Sequence, residues 1–312
     1  HSGEYTPDDV IDLIDAIGTV TKRSGDDIAA ARKAYDSLTD EEKKQVTNYG
    51  TLLAAEKAYA DILKKAAKEL GDIYKTTGDY IEKLPGDELN AFGSEWYILG
   101  LARSGRKVFD DYYKAIEKYV SENIDENGRL DEKRATDNAK LVLVLSALDK
   151  DVTDVGGHDL LKALSDMDYV TQQGLSGAIY ALLAFDCRGY DIPSADKNVE
   201  QTSREGLVKY ILDKQFKDGG WAYSGDKAEP DMTAMALQAL AAYYKTDAKV
   251  KEAADKAVTC LSKLQNSTGG YDSYGSVNSE SAAQVITALT ALGIDPDNDA
   301  RFVKTYWQSI PG

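Results

Sequence analysis

The stretch 215-QFKDGGW-221 returns as 265-QNSTGGY-271. A glutamine, three residues, two glycines and an aromatic lead each time into an apolar run. Glycine reaches the positive φ that ends a helix and lets a turn pack closely. The glutamine can satisfy backbone groups left unpaired at helix ends, and the aromatic can plug the space between neighbouring elements. A fuller template adds an aromatic or aliphatic residue and an aliphatic one ahead of the glutamine. Tyr210-Ile211, Gln215, Gly219 and Trp221 fit it fully, and Cys260-Leu261, Gln265, Gly269 and Tyr271 fit all but the first position. Tyr119-Val120, Ile124, Gly128 and Leu130 keep the spacing with altered chemistry, and weaker echoes occur at Tyr80-Ile81, Leu160-Leu161 and Phe302-Val303. The intervals run from 39 to 50 residues, a period that marks a repeat in which each unit is one supersecondary element.

Each unit reads as two helices. The first is amphipathic, as in Leu207, Val208, Ile211 and Leu212. The second is more apolar and rich in small residues: SEWYILGLA, NAKLVLVLSAL, SGAIYALLAF, MTAMALQALAAYY and AAQVITALTALG. A helix apolar on most sides is buried on most sides, so the second helices should form an inner layer and the first an outer one. With only 6 prolines in 312 residues and Ala, Leu, Lys, Asp and Glu dominant, the chain is expected to be all-α.

Residues 1–65 read as a separate small three-helix module. Pro7-Asp8-Asp9 opens a helix with Val10, Ile11, Leu13, Ile14 and Ile17 on one face. Ser24-Gly25-Asp26-Asp27 starts a second, with Ile28, Ala31, Ala34 and Tyr35 spaced for burial. Thr39 and Glu42 form a capping box, and a third helix carries Leu52, Leu53 and Tyr59. The segment 31-ARKAYDSLTDEEKKQVTNYGTLLAAEKAY-59 resembles small helical modules of Gram-positive surface proteins. That resemblance implies an extracellular place and a spacer role; an extension packed on the main domain is the alternative.

Across residues 66–312, 204-REGLVKYILDKQFKDGGW-221 resembles the glutamine-tryptophan repeat motif of the prenyltransferase and squalene/hopene cyclase superfamily, and 231-DMTAMALQAL-240 resembles its inner helix. The resemblance implies an α/α toroid, two concentric rings of helices. The stretch from Thr136 through Asp186 is similar to toroid proteins of Gram-positive gut bacteria that are secreted or wall-attached. The superfamily includes terpene cyclases, protein prenyltransferases, thioester domains of complement-like proteins and cobalamin carriers, so the fold alone does not choose an activity.

The catalytic equipment of those enzymes is not matched. Cyclases carry a DxDD cluster; here the helix start is Glu229-Pro230-Asp231-Met232-Thr233, and one acid without neighbours to tune it is a poor alkene protonator. Prenyltransferases hold zinc with Asp, Cys and His. Here Asp231-Met232-Thr233 stands at Asp-x-Cys, and the two histidines are His1 and His158. No Cys-Gly-Glu-Gln thioester sequence occurs. Asp295, Asp297 and Asp299 have EF-hand spacing, but Ala300 replaces the glycine and Tyr306 the closing glutamate. The expectation is therefore no metal, no cofactor and no catalysis, with a cyclase- or prenyltransferase-like enzyme, or a carbohydrate-active one pairing Asp231 with Glu280, as the alternative.

A formal charge of -16 opposes nucleic-acid and anionic-membrane partners, and no run of about 18 apolar residues can span a bilayer. Cys187 and Cys260 read as two buried thiols. The binding candidates cluster at or just before inner-helix starts: Trp96, Tyr97, Asp137, Gln172, Gln173, Trp221, Tyr223, Asp231, Tyr271, Tyr274 and Glu280. Aromatic, amide and acidic side chains at one ring mouth suit a small molecule, a glycan or a protein. Six outer echoes and five inner runs leave the ring short of one helix, so the sequence reading expects the native chain to continue, with cell-wall attachment through that further region.

Overall fold

The computed structural model describes residues 5–107, 110–273 and 275–303. The fold is all-α. Its helices are α1 (Pro7–Ala16), α2 (Gly25–Asp36), α3 (Asp40–Lys43), α4 (Tyr49–Ile81), α5 (Gly86–Leu89), α6 (Glu95–Arg103), α7 (Asp110–Asn123), α8 (Ala135–Ala147), α9 (Met167–Gln172), α10 (Gly174–Asp186), α11 (Arg204–Asp213), α12 (Pro230–Leu240), α13 (Ala248–Leu264) and α14 (Ser279–Ala291). A two-stranded hairpin, β1 (Asp272–Ser273) and β2 (Ser276–Val277), is the only sheet among the described residues. The chain divides into two compact units, residues 1–77 and 78–312. The third long helix of the N-terminal unit runs through residue 65 to Ile81.

In the first unit, Thr6 and Asp9 exchange capping-box bonds ahead of Pro7, and Thr39 and Glu42 do the same ahead of α3. Each box satisfies two orphan helix-end donors. Val10, Ile14 and Ile17 pack with Ile28, Ala31, Ala34, Leu38, Val46, Leu52 and Ala55 into one apolar core, while Leu53 on the opposite face of α4 stays exposed. Arg32 forms a fork on Glu56 (2.6 and 2.7 Å) and lies against the stacked rings of Tyr35 and Tyr49. The planar guanidinium suits both contacts.

In the second unit, the five apolar runs are α6, α8, α10, α12 and α14, and each packs on the next in that order. The amphipathic helices α11 and α13 pack on α10 and α12 respectively and on one another. The joint between α11 and α12 follows the role assigned to its residues. Gln215 Nε2 donates to the Gly219 carbonyl (2.7 Å) and to the Ala253 carbonyl of α13 (2.8 Å). Trp221 is fully buried, its Nε1 donating to the Ile211 carbonyl (2.8 Å) and its backbone N–H to Thr233 Oγ1 (3.0 Å).

Two units depart from the simple hairpin. Leu160-Leu161, expected in an outer helix, lie in turns before a 3-10 segment, Ala163–Ser165, and the short α9. A positive φ at Asp149 and paired left-handed glycines, Gly156 and Gly157, turn the chain repeatedly there, leaving no uninterrupted run long enough for several helical turns. At the joint after α7, Ile124 cannot donate as glutamine does. Asn138 of α8 takes that part, its Nδ2 donating to the Gly128 carbonyl (2.8 Å) and the Leu160 carbonyl (3.2 Å).

Asp299 caps the Arg301 N–H (2.9 Å) as Asp247 caps Lys249 at the start of α13 (2.8 Å). Phe302, like Val250, follows its capping aspartate by three residues and is buried. The expectation of a missing sixth inner helix concerns sequence after Val303, and residues 304–312 lie outside the described ones. Both thiols are free; Cys260 is buried as expected, and Cys187 is exposed instead.

Candidate functional site

The starts of the apolar helices lie side by side, stitched by side chains. Gln173, which precedes α10, accepts the Thr136 N–H with Oε1 (3.0 Å) and donates to Thr136 Oγ1 with Nε2 (2.9 Å), tying the starts of α8 and α10. Ser176 Oγ lies 4.0 Å from Met232 Sδ, joining α10 to α12. Ser273 Oγ donates to Asp231 Oδ2 (2.7 Å), joining α12 to the hairpin before α14. Farther along, Gln238 Nε2 donates to Gln284 Oε1 (2.7 Å). These four helices therefore run parallel, with their N-termini at one end.

That end is acidic but engaged. Asp137 is buried and pairs with Arg134 (3.1 Å). Burial holds its carboxyl above the usual carboxylate range, against the opposite pull of Arg134 and then Lys140. Glu95 is also buried and accepts the Gly93 N–H (2.7 Å). The Tyr112 hydroxyl, fully buried and without a partner among the described residues, is raised by burial first and by Glu95 second. Asp231 Oδ1 is buried with no partner among the described residues. Glu280 is exposed, one residue after the start of α14, and receives a bond from Ser279 (3.2 Å).

Asp137→Asn gives a pH-dependent outcome. A carboxyl whose folded pKa is raised releases its proton from the unfolded chain first as pH climbs past the ordinary 3.8. Stability is lost from there up to the folded pKa, and the loss persists above it. The asparagine variant should therefore gain on the parent at pH 7, and the gain should fade as pH drops through about 4. Urea midpoints at both pH values check this; a gain independent of pH would contradict it.

The aromatic candidates separate into two groups. Trp221 and Tyr271 are buried in the joints. Trp96 and Tyr97, by contrast, are 49% and 42% exposed on α6, and Tyr223 is 70% exposed. The ring of Trp96 meets Tyr180 of α10 at 6.0 Å and 50°. That contact crosses between two helices that each pack on α8. Gln172 is exposed at the end of α9, and Tyr274 lies outside the described residues.

Sequence reasoning missed Tyr180, whose hydroxyl is pushed up to about 12 by burial. Ser176, Tyr180 and Leu183 on α10, and Asp231, Met235 and Gln238 on α12, stand at helical spacing and are half-buried on helices that are otherwise mostly buried. Their other sides are taken by neighbouring helices, so these stripes line the one remaining face. Leu143 of α8 belongs with them.

A described hollow lies elsewhere. It is a groove of about 750 Å³ between α11 and α13. Among its charged side chains, Lys209 pairs with Asp213 and Lys256 with Glu252 along their own helices. The acidic run of the C-terminal loop is likewise committed: Asp295 accepts the Asp297 N–H (2.9 Å) and Asp299 pairs with Arg301 (2.6 Å). No group of three or more His, Cys, Asp or Glu placed to hold a metal occurs among the described residues. No helix among them is long and apolar enough to cross a membrane. No protein-family model, curated protein or solved structure matches the chain.

Proposed function

We propose that the protein is a binding protein without catalytic activity, taking its ligand on the face carrying Trp96, Tyr97 and Tyr180. The observation that carries this reading is the half-exposed Trp96 ring, held against Tyr180 from a helix that is not its neighbour. Keeping a large indole half in water while its partner is largely buried leaves apolar area for a flat ligand surface. Hydroxyl-bearing ligands suit a face where Tyr97 of α6 and Ser176, one turn before Tyr180 on α10, offer neutral polar groups. The strongly negative chain disfavours anionic ligands. A neutral glycan or an uncharged small molecule meets both conditions better than an isoprenoid diphosphate.

In this reading the row α6, α8, α10, α12 and α14 is the inner wall of an α/α toroid, with α7, α11 and α13 outside it. The orderly packing of the row and the recurring joints support that arrangement. The resemblance of residues 31–59 to surface-protein modules supports a place outside the cell or on its surface, with the N-terminal unit as spacer and a glycan or protein within reach.

The test is titration of the full chain with neutral oligosaccharides, corrinoids and isoprenoid diphosphates, followed by tryptophan fluorescence and thermal shift. A neutral ligand should change the emission of Trp96, and Trp96→Ala should weaken binding by at least about tenfold, the scale of one lost aromatic contact. The competing reading is an enzyme using Asp231, whose Oδ1 has no partner among the described residues. Turnover of a prenyl or glycan substrate that Asp231→Asn abolishes would replace the binding reading.

A further inference from the structure

Arg204 and Arg301 of the second unit each bond through Nε and Nη2 together, as Arg32 does in the first. Arg129 departs from that pattern. Its Nη2 donates to Asp166 Oδ2 (2.8 Å), while its Nε is buried with no partner among the described residues. A buried donor left unpaired costs free energy and calls for an explanation. The side chain is nonetheless held in place. Asp166 is fixed by capping α9 through the Tyr169 N–H (3.1 Å). The guanidinium lies 4.4 Å from the centre of the buried Tyr169 ring, a contact that suits a planar cation.

Arg129 lines a hollow of about 240 Å³. Its walls come from the turn after α7, from residues 162–166 ahead of α9, and from the loop carrying Asp196 and Lys197. The first two walls are tied together. Gly128, at a φ of +77°, brings its turn so close that a Cβ there would lie 3.5 Å from the Ala163 nitrogen. The buried Asn138 Nδ2 donates to both the Gly128 and the Leu160 carbonyls. Three cations, Arg129, Lys162 and Lys197, therefore meet at one hollow against two carboxylates, Asp166 and Asp196. Asp196 lies 3.9 Å from the Lys162 ammonium, too far for a hydrogen bond. The lining is positive on balance, in a chain whose formal charge is -16.

We propose that this hollow is a second binding site, for a small organic anion bearing a carboxylate or phosphate group. A guanidinium matches the geometry of either group, and Lys162 and Lys197 add point charges beside it. Arg129 is pre-positioned by Asp166 and Tyr169, so little ordering is left for the ligand to impose. The volume lies below the about 300–1,000 Å³ of pockets for drug-sized ligands, so the body of the anion is small. The acidic surface elsewhere repels it only weakly, because salt screens exposed charges beyond about 10 Å. The cations lining the hollow therefore decide the sign of the interaction. Asp196 competes with the ligand for Lys162. The site shares no residue with the Trp96 face, and the inference does not rest on the ligand reading above.

The test is calorimetric titration of the full chain with inorganic phosphate and, separately, with citrate. At least one should saturate at one site per chain, and the tighter of the two names the group that the ligand carries. Lys162→Gln should weaken that binding about tenfold, the scale of one charge-assisted bond. Asp196→Asn should tighten it about threefold, by removing the competing carboxylate. Lys256→Gln on α13, whose lysine pairs with Glu252, is the control and should bind as the parent does. Arg129→Gln strips Asp166 of its partner and so endangers the fold. Lys162 and Asp196 have side chains 44% and 62% exposed, so their variants keep the test readable without it. Titrations that saturate with neither anion would overturn the proposal. So would an affinity that neither Lys162→Gln nor Asp196→Asn changes, because the anion would then sit elsewhere.

Discussion

Trp221→Ala should destabilise the second unit by about 3–5 kcal/mol, the cost of emptying a large buried aromatic site. Trp221 is fully buried, and it closes the joint between α11 and α12 with one bond from each of its nitrogens. Trp221→Phe keeps most of the ring and loses the bond to the Ile211 carbonyl. That carbonyl still accepts the Lys214 N–H, so the cost should be smaller, about 1–2 kcal/mol. Urea unfolding followed by circular dichroism reads both. A change of less than about 0.5 kcal/mol in the alanine variant would mean that the joint does not hold the hairpin.

Gly177→Ala should be destabilising by about 3 kcal/mol, although local preference points the other way. In a helix interior alanine is better than glycine by about 1 kcal/mol. Gly177 lies in α10 with an ordinary φ, so helix propensity alone expects a gain. Its Cβ, however, would fall 2.0 Å from the Val170 carbonyl oxygen of α9. Backbone cannot yield as a flexible side chain does, so α9 must shift off α10. Gly100→Ala on α6, where nothing lies within 4 Å, is the matched control and should gain about 0.5–1 kcal/mol. The opposite signs, read as thermal or urea midpoints, separate packing from propensity; equal signs would contradict the close approach of α9 to α10.

The five apolar helices and two of the joints were legible because their causes are local. Trp221 bonds partners within about a dozen residues, Gln215 takes the Gly219 carbonyl of its own turn, and the positive φ at Gly219 follows from its place in that turn. The absence of an outer helix around Leu160 was less legible. Its echo survives in sequence, but Asp149, Gly156 and Gly157 turn the backbone before helical turns can accumulate. At the candidate site, Trp96 and Tyr97 were found from their position before an apolar run, whereas Tyr180 was not. It is one aromatic in the middle of an apolar helix, and nothing local distinguishes it from core. Trp221 and Tyr271 share that position before an apolar run, yet the structure buries both in the joints.

Sequence by itself determined the helical periods, the caps at Thr6 and Thr39, and the recurrence of one joint, because hydrophobic periodicity and short-range hydrogen bonds are written within a few turns of chain. Tertiary structure decided which partner completes each joint. Asn138 reaches back from α8 to the Gly128 carbonyl in place of a glutamine, and Gln215 finds its second acceptor 38 residues away. It also decided that Trp96 meets Tyr180 and that α9 lies on Gly177. Contacts of that kind depend on how whole helices stack, and no residue in them carries a local mark of its partner.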